Sequence, residues 1–195
     1  MENSSHFQIN DYLKPGRHAH LVGIGGVSMR PLGLVLRSMG MQISGSDMNA
    51  SVSTDELMAK GIAVSIGHRA ENIEGADCVI RTAAANNDNP EIAAARAAGI
   101  PIFERAQAWG YIMKAYRHAI CVSGTHGKTT TTSMLTQIFM EAGKDPTVMI
   151  GGSLPLLGAG HRVGQGDTII LESCEYCNSF LNFFPTTAVV LDIDA

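Results

Sequence analysis

The sequence predicts the α/β class: a Rossmann-like parallel-sheet domain followed by the start of a second α/β domain of the P-loop ATPase type. Three observations carry this. From Arg17 onward, short apolar runs alternate with segments of helical periodicity, the pattern of strand–helix–strand units in a parallel sheet. The first run, His18–Val22, opens into Gly23-Ile24-Gly25-Gly26. A later run, His118–Ser123, opens into a glycine turn of another type, Gly124-Thr125-His126-Gly127-Lys128-Thr129.

Taken in order, residues 1–16 are polar and close in Pro15-Gly16, which makes them a lead-in segment. After the first strand, Leu32, Val35, Leu36 and Met39 recur at helical spacing, with Pro31 in the first turn and Gly40 as the stop. Met41–Ser44 is the second strand and runs into Gly45-Ser46-Asp47. Ser53 or Thr54 caps a helix that extends to Lys60. Ile62–Ile66 and Asp77–Arg81 are the third and fourth strands. Asn86-Asn87-Asp88-Asn89-Pro90 is dense turn chemistry before a short helix, Glu91–Ala98. Ile100–Phe103 is the fifth strand, and Glu104–Tyr116 reads as a helix. A second alternation then begins, which places a domain boundary between residues 116 and 117. It holds the His118–Ser123 strand, a helix to Gly143, and a strand at Thr147–Ile150. Gly151 to Gly166 reads as a glycine-rich loop, followed by strands at Asp167–Leu171 and Thr187–Ile193.

Composition narrows the function classes. With 45% hydrophobic and 16% charged residues over 195 positions, the chain suits a packed domain rather than a disordered one. A net charge of −4 offers no basic surplus for a nucleic-acid backbone. No apolar run approaches the ~20 residues of a membrane span, and no basic-then-apolar leader opens the chain. These features point to a cytoplasmic protein that binds neither nucleic acid nor membrane. Cys78 and Cys121 fall inside apolar strands and read as small core residues. Cys174-Glu175-Tyr176-Cys177 lacks the second pair that a zinc site needs.

Both glycine turns have a chemistry. In the second, glycines let backbone N–H groups approach a polyphosphate at a helix start. Lys128 would reach the outer phosphates, and the Thr129 hydroxyl would bind Mg²⁺. The general pattern wants glycine at 122, where this chain has Val122. Glu172, at the end of a downstream strand, is the acid that would share the Mg²⁺, with Glu175 as a substitute. The first turn, Gly23 to Met29, is similar to a dinucleotide fingerprint with Ser28 where the third glycine should be. Asp47 lies 22 residues beyond Gly25, where an acid meets a ribose hydroxyl. Local chemistry there suits NAD or a UDP-sugar equally. A nucleotide loop in each half argues against hydride transfer and for ATP cleavage coupled to a substrate held by the first half. The structural alternative is a pair of tight strand–helix turns, with Asp47 as a cap and Glu172 as a solvated strand end.

The stretches His20–Met29, Ser44–Asp47, Gly67-His68, Asp88–Glu91, Ser123–Thr132, Glu172 with Glu175 and Ser179–Leu181, and Val189–Ala195 resemble the Mur ligases of peptidoglycan synthesis. The resemblance covers nearly everything after Arg17, and its first loop favours the alanine-adding member over the tripeptide-adding one. It implies an ATP- and Mg²⁺-dependent ligation of L-alanine to UDP-N-acetylmuramic acid. The muramic carboxylate attacks the γ-phosphate of ATP, and alanine's amine then attacks the acyl phosphate. It further implies that Gly23, Ile24, Gly25, Gly26, Val27, Ser28 and Asp47 hold the UDP-sugar, together with His68 and Arg105. Gly124, Thr125, His126, Gly127, Lys128, Thr129 and Thr130 would hold ATP, Thr129 and Glu172 the Mg²⁺, and Lys128 and Glu172 would serve catalysis. His126 receives no role of its own. The family continues beyond Ala195 into an Asp-His-Leu-Asp motif and a third domain, so the second domain is expected to be truncated and this chain alone inactive. The alternatives left open are an NAD-binding oxidoreductase and a non-catalytic nucleotide-binding module.

Overall fold

A computed structural model describes residues 7–173 and 176–193. It divides into two compact units, Met1–Ala108 and Trp109–Ala195.

The first unit is built on a five-stranded sheet in the order β3-β2-β1-β4-β5, comprising β1 (His18–Val22), β2 (Gln42–Asp47), β3 (Ala63–Ile66), β4 (Cys78–Arg81) and β5 (Ile102–Glu104). Every pairing is parallel. The chain winds outward from β1 to one edge and then returns to β4 for the other. The switch in direction therefore falls between β1 and β4, where ligands of such sheets bind at the carboxyl ends of the strands. The connecting helices are α1 (Met29–Ser38), α2 (Val52–Ala59) and α3 (Pro90–Ala97). Helix α1 buries Leu32, Val35 and Leu36 as its spacing predicts. Helix α2 is capped by Ser51 rather than by Ser53 or Thr54. The Ser51 hydroxyl accepts from the Thr54 amide, and the Thr54 hydroxyl accepts from the Ser51 amide, a reciprocal capping box that starts the helix earlier than expected. The Asn89 side chain caps α3 through the Glu91 and Ile92 amides. The lead-in segment is not wholly solvent-facing, for Leu13 is fully buried and the Tyr12 ring packs at a tilt against Phe103, with centroids 5.8 Å apart.

Helix α4 (Arg105–Met113) spans the division between the units. The second unit holds a sheet in the order β10-β6-β9-β7-β8, made of β6 (His118–Ser123), β7 (Thr147–Leu154), β8 (Ala159–Arg162), β9 (Thr168–Glu172) and β10 (Thr187–Val190). Helix α5 (Lys128–Glu141) covers β6, β7 and β9 and presents Leu135 and Phe139 to the cluster of Ile120, Val148, Ile150 and Ile170. Its buried threonines satisfy their own hydroxyls, Thr132 bonding the Lys128 carbonyl and Thr136 the Thr132 carbonyl.

One expectation fails here. Gly151 to Gly166 is not a loop. Strand β7 continues to Leu154 and pairs antiparallel with β8, with a register shift between Met149 and Leu154. The glycines serve the close approach of the two strands, since a Cβ on Gly160 would run into the Gly152 carbonyl oxygen. The sheet of the second unit is accordingly mixed, with an antiparallel edge strand on a parallel core.

Candidate functional site

Parallel pairing aligns Val22, the last residue of β1, with Ser46 and Arg81 on the flanking strands. Gly23 through Ser28 therefore emerges at the carboxyl edge, directly beside Asp47. The loop is held from β2: the Gly23 and Ile24 amides both donate to the Ser46 carbonyl, at 2.8 and 2.9 Å. The Gly25 amide donates to Asp47 Oδ2 at 2.9 Å. Ile24 is fully buried and pins the loop to the sheet, while Val27 projects into solvent. Arg105, at the start of α4, donates to the Ser28 hydroxyl at the loop's far end. Thus Asp47, Ser28 and Arg105 converge on one loop although they are far apart in sequence. In this structure the Asp47 carboxylate braces the loop, and its Oδ1 faces the Asn49 amide at 3.5 Å.

His68 is tied to the same edge from below. Gly67, its neighbour, donates its amide to the Asp47 carbonyl at 2.8 Å. His68 Nδ1 lies 3.0 Å from Ser46 Oγ and 3.1 Å from Glu91 Oε2. Glu91 is fully buried. Burial alone would push its carboxyl up. His20, the Ser46 hydroxyl and the Asn72 amide outweigh that and hold it down at about 2, against an ordinary 4.5. Ser46 donates at 2.6 Å and Asn72 at 2.5 Å. His20 Nε2 stands 3.7 Å from Glu91 Oε1, an ion-pair separation rather than a hydrogen bond. Beyond His20, its Nδ1 meets Ser44 Oγ at 2.9 Å, and Ser44 meets His18 Nε2 at 2.8 Å. Reading the sequence misses this network. Its one local signal is His18-Ala19-His20, a pair two apart on a strand and hence on one face.

In the second unit, β9 pairs beside β6 so that Val122 aligns with Glu172. The phosphate-type loop leaves β6 at Gly124, and the side chain of Glu172 reaches it from the neighbouring strand. Thr129 Oγ1 donates to the Glu172 carboxylate at 3.0–3.1 Å, and the Gly151 amide donates to Glu172 Oε2 at 2.7 Å. Lys128 Nζ folds back onto the loop carbonyls of Gly124 and Thr125, at 2.5 and 3.3 Å. Thr130 is exposed on the first turn of α5. His126 acquires a partner: its amide donates to Asp192 Oδ1 at 3.0 Å, and its ring Nδ1 is 3.4 Å from Asp192 Oδ2. The His126 amide bond foremost, together with the His126 ring and the Thr125 amide, outweighs desolvation and lowers the Asp192 carboxyl below its ordinary range. A cavity of about 410 Å³ opens beside the loop, bounded by Ser123–Thr125, Ser173, Phe180 and the residues closing β10. The sequence places Asp192 inside the expected strand Thr187–Ile193, whereas β10 ends at Val190 and leaves Asp192 beyond the strand, level with the loop.

Cys78 and Cys121 are buried, and burial pushes each thiol up to about 12. Cys174 and Glu175 lie outside the described residues. Among the described residues there is no group of three or more His, Cys, Asp or Glu able to hold a metal, and no helix long and apolar enough to cross a membrane.

Residues 18–117 match the model of the Mur ligase family, catalytic domain. The UDP-N-acetylmuramate–L-alanine ligase of Clostridium botulinum strain Hall is 47% identical over 186 residues, covering 95% of this chain and 41% of the relative. The solved UDP-N-acetylmuramate–alanine ligase of Thermotoga maritima superposes with a TM-score of 0.82 at 33% identity, over 89% of this chain and 40% of that one. A solved UDP-N-acetylmuramate:L-alanyl-γ-D-glutamyl-meso-diaminopimelate ligase from Neisseria meningitides gives 0.83 at 27% identity, over 91% and 61%. The chain thus spans about two-fifths of the length of the curated relatives it matches. With its two glycine loops leaving the ends of parallel-paired strands, it belongs to the Mur ligase family.

Proposed function

We propose that this chain supplies the UDP-sugar unit and the ATP loop of a UDP-N-acetylmuramate–L-alanine ligase of peptidoglycan synthesis, acting in the cytoplasm. The observation that carries the reading is the pairing of two different nucleotide loops, each with an acid from the adjacent strand. Asp47 is bonded to Gly25, and Glu172 is bonded to Thr129. A hydride-transfer enzyme has no use for the second. The relatives' names support alanine as the amino acid, and the lower identity to the tripeptide-adding structure ranks that activity second.

In this reading the amides of Gly23 to Ser28, with Asp47, His68 and Arg105, orient the UDP-sugar. Gly124 to Thr130 cradle the triphosphate. Thr129 Oγ1 and Glu172 are hard oxygen donors within hydrogen-bond distance of each other, a set that fits Mg²⁺. That ion would neutralise phosphate charge. Lys128 exchanges its loop carbonyls for phosphate oxygens and adds a fixed positive charge. The muramic carboxylate oxygen bonds to the γ-phosphorus as ADP leaves. The amine of alanine then displaces phosphate from the acyl carbon. Positioning and charge neutralisation provide the acceleration. Binding at the two loops is proposed for this chain, and ligation for a protein of the relatives' length. Calorimetric titration tests the assignment. UDP-N-acetylmuramic acid is expected to bind more tightly than NAD, and Mg-ATP to bind independently. Tighter binding of NAD refutes the ligase reading.

A further inference from the structure

We propose that Glu91 is a positioning residue for the ligand of the first loop: it fixes the His68 imidazole through Nδ1, so that Nε2 is the atom offered to the ligand. The inference rests on reading that loop as a nucleotide-sugar site. The hydrogen-bond inventory assigns the tautomer. Glu91 is an ionised carboxylate and only accepts. The single proton of the Ser46 hydroxyl is directed to Glu91 Oε2 at 2.6 Å. Ser46 Oγ can therefore only accept from His68 Nδ1, 3.0 Å away, and Glu91 Oε2 at 3.1 Å is a second acceptor for the same N–H. Nδ1 thus carries a proton, and in the uncharged ring this leaves Nε2 as the acceptor for an N–H or O–H of the ligand. The groups around Nδ1 are fully buried while the His68 side chain is 14% exposed, so the ring edge bearing Nε2 is the one that reaches the surface.

The placement of the charge supports a role beyond packing. A carboxylate with no exposure is costly unless fully partnered, and a well-packed apolar residue commonly serves stability as well. Here the fold brings donors to it from two other elements, Ser46 on β2 and Asn72 in the turn after β3. A negative charge at a helix start is also favoured by the helix dipole. His20 Nε2 on β1 faces the other oxygen. Three of these contacts hold Glu91 still, and His68 is the partner that leads outward.

The test uses the 195-residue chain, with UDP-N-acetylmuramic acid titrated calorimetrically and His68 observed by long-range ¹H–¹⁵N NMR. Wild type is expected to show the Nδ1–H tautomer and an Nε2 resonance that moves on ligand saturation. Glu91→Ala is expected to lose roughly tenfold in affinity, the worth of one well-placed hydrogen bond, and to spread His68 over both tautomers. Glu91→Gln, which retains an acceptor oxygen for Nδ1–H, recovers most of the affinity. In a His68→Ala background, Glu91→Ala costs nothing further. Equal loss in both backgrounds, an Nε2–H tautomer in wild type, or an Nε2 resonance unmoved by ligand overturns the proposal. If Glu91→Ala does not fold, the wild-type spectra and Glu91→Gln decide it. Should NAD bind in place of the UDP-sugar, the substrate reading falls, while the Nε2 response to the bound nucleotide still judges Glu91.

Discussion

Gly45→Ala is a sharp test of how the first loop is held. A Cβ at Gly45 would lie 2.6 Å from Ile24 Cδ1, 2.7 Å from Ile24 Cβ and 2.7 Å from the Leu21 carbonyl oxygen. The methyl at Cδ1 could rotate away. The Ile24 Cβ and the Leu21 oxygen move only with the backbone of β1 and its loop. Overpacking of this kind costs about 1–3 kcal/mol, and the gain from a stiffer unfolded chain returns about 0.4–1 kcal/mol. The net is a loss of about 1 kcal/mol, or roughly 2–4 °C in thermal midpoint for a chain of this size. Because the strain is relieved by lifting Ile24, the Gly25 amide leaves Asp47 and affinity for the UDP-sugar falls with stability. Gly33→Ala is the control. Its Cβ would meet side-chain tips alone, Leu21 Cδ2 at 3.3 Å and the Ile43 and Ile24 methyls at 3.7 and 3.8 Å, and alanine is favoured over glycine inside α1 by about 0.5–1 kcal/mol. Circular-dichroism melts and calorimetry on both variants decide the matter. A Gly45→Ala protein that melts within about 1 °C of wild type, or a Gly33→Ala protein that is the worse of the two, refutes the reasoning.

Three further outcomes are expected. The Glu91 carboxyl is held at about 2 in the folded protein against an ordinary 4.5. Its stabilisation, on the order of 3 kcal/mol, is therefore complete above pH 4.5 and is lost as pH falls towards 2. Urea midpoints measured across that window should fall in wild type and stay flatter in Glu91→Gln. Lys128→Ala should abolish Mg-ATP binding while leaving UDP-sugar affinity unchanged, and loss of both in calorimetry would indicate a folding defect instead. Asp192→Asn should raise Mg-ATP affinity severalfold, since an anion bonded to the His126 amide opposes a second anion at the same loop; weaker binding by the variant would show that Asp192 supports the nucleotide-binding form.

The strand–helix order was legible because a parallel strand buried on both faces writes itself as a short apolar run, as His118–Ser123 and Asp77–Arg81 do. The glycine loops were legible because their chemistry is local to a few consecutive residues. What escaped was written in pairs of distant positions. The β7–β8 hairpin hid behind glycines that usually signal a loop, and only the facing of Gly152 and Gly160 explains them. The Ser51 cap was missed because Ser51, Ser53 and Thr54 all carry the right hydroxyl, and geometry chooses among them. The Glu91 network joins residues 20, 46, 68, 72 and 91 from separate elements. No spacing rule along the chain connects those positions. His126 found Asp192 across 66 residues in the same way.

Both loops obey one rule that follows from parallel pairing. Adjacent parallel strands end side by side, so an acid at or just past the end of one lies level with the turn that leaves its neighbour. Asp47 closes β2 beside β1 and takes the Gly25 amide. Asp192 follows β10 beside β6 and takes the His126 amide. Each loop of the free protein thus has backbone donors already engaged by a carboxylate, and binding of a phosphate there is an exchange of anions rather than a simple capture. The two exchanges differ. Asp47 would remain in the first site, because a ribose hydroxyl can donate to the carboxylate while the phosphates use the other loop amides. Asp192 would have to yield, because a polyphosphate has no proton to offer it at neutral pH. Affinity at the first loop should therefore depend on the ligand's hydroxyls, and affinity at the second on how readily the segment after β10 swings away.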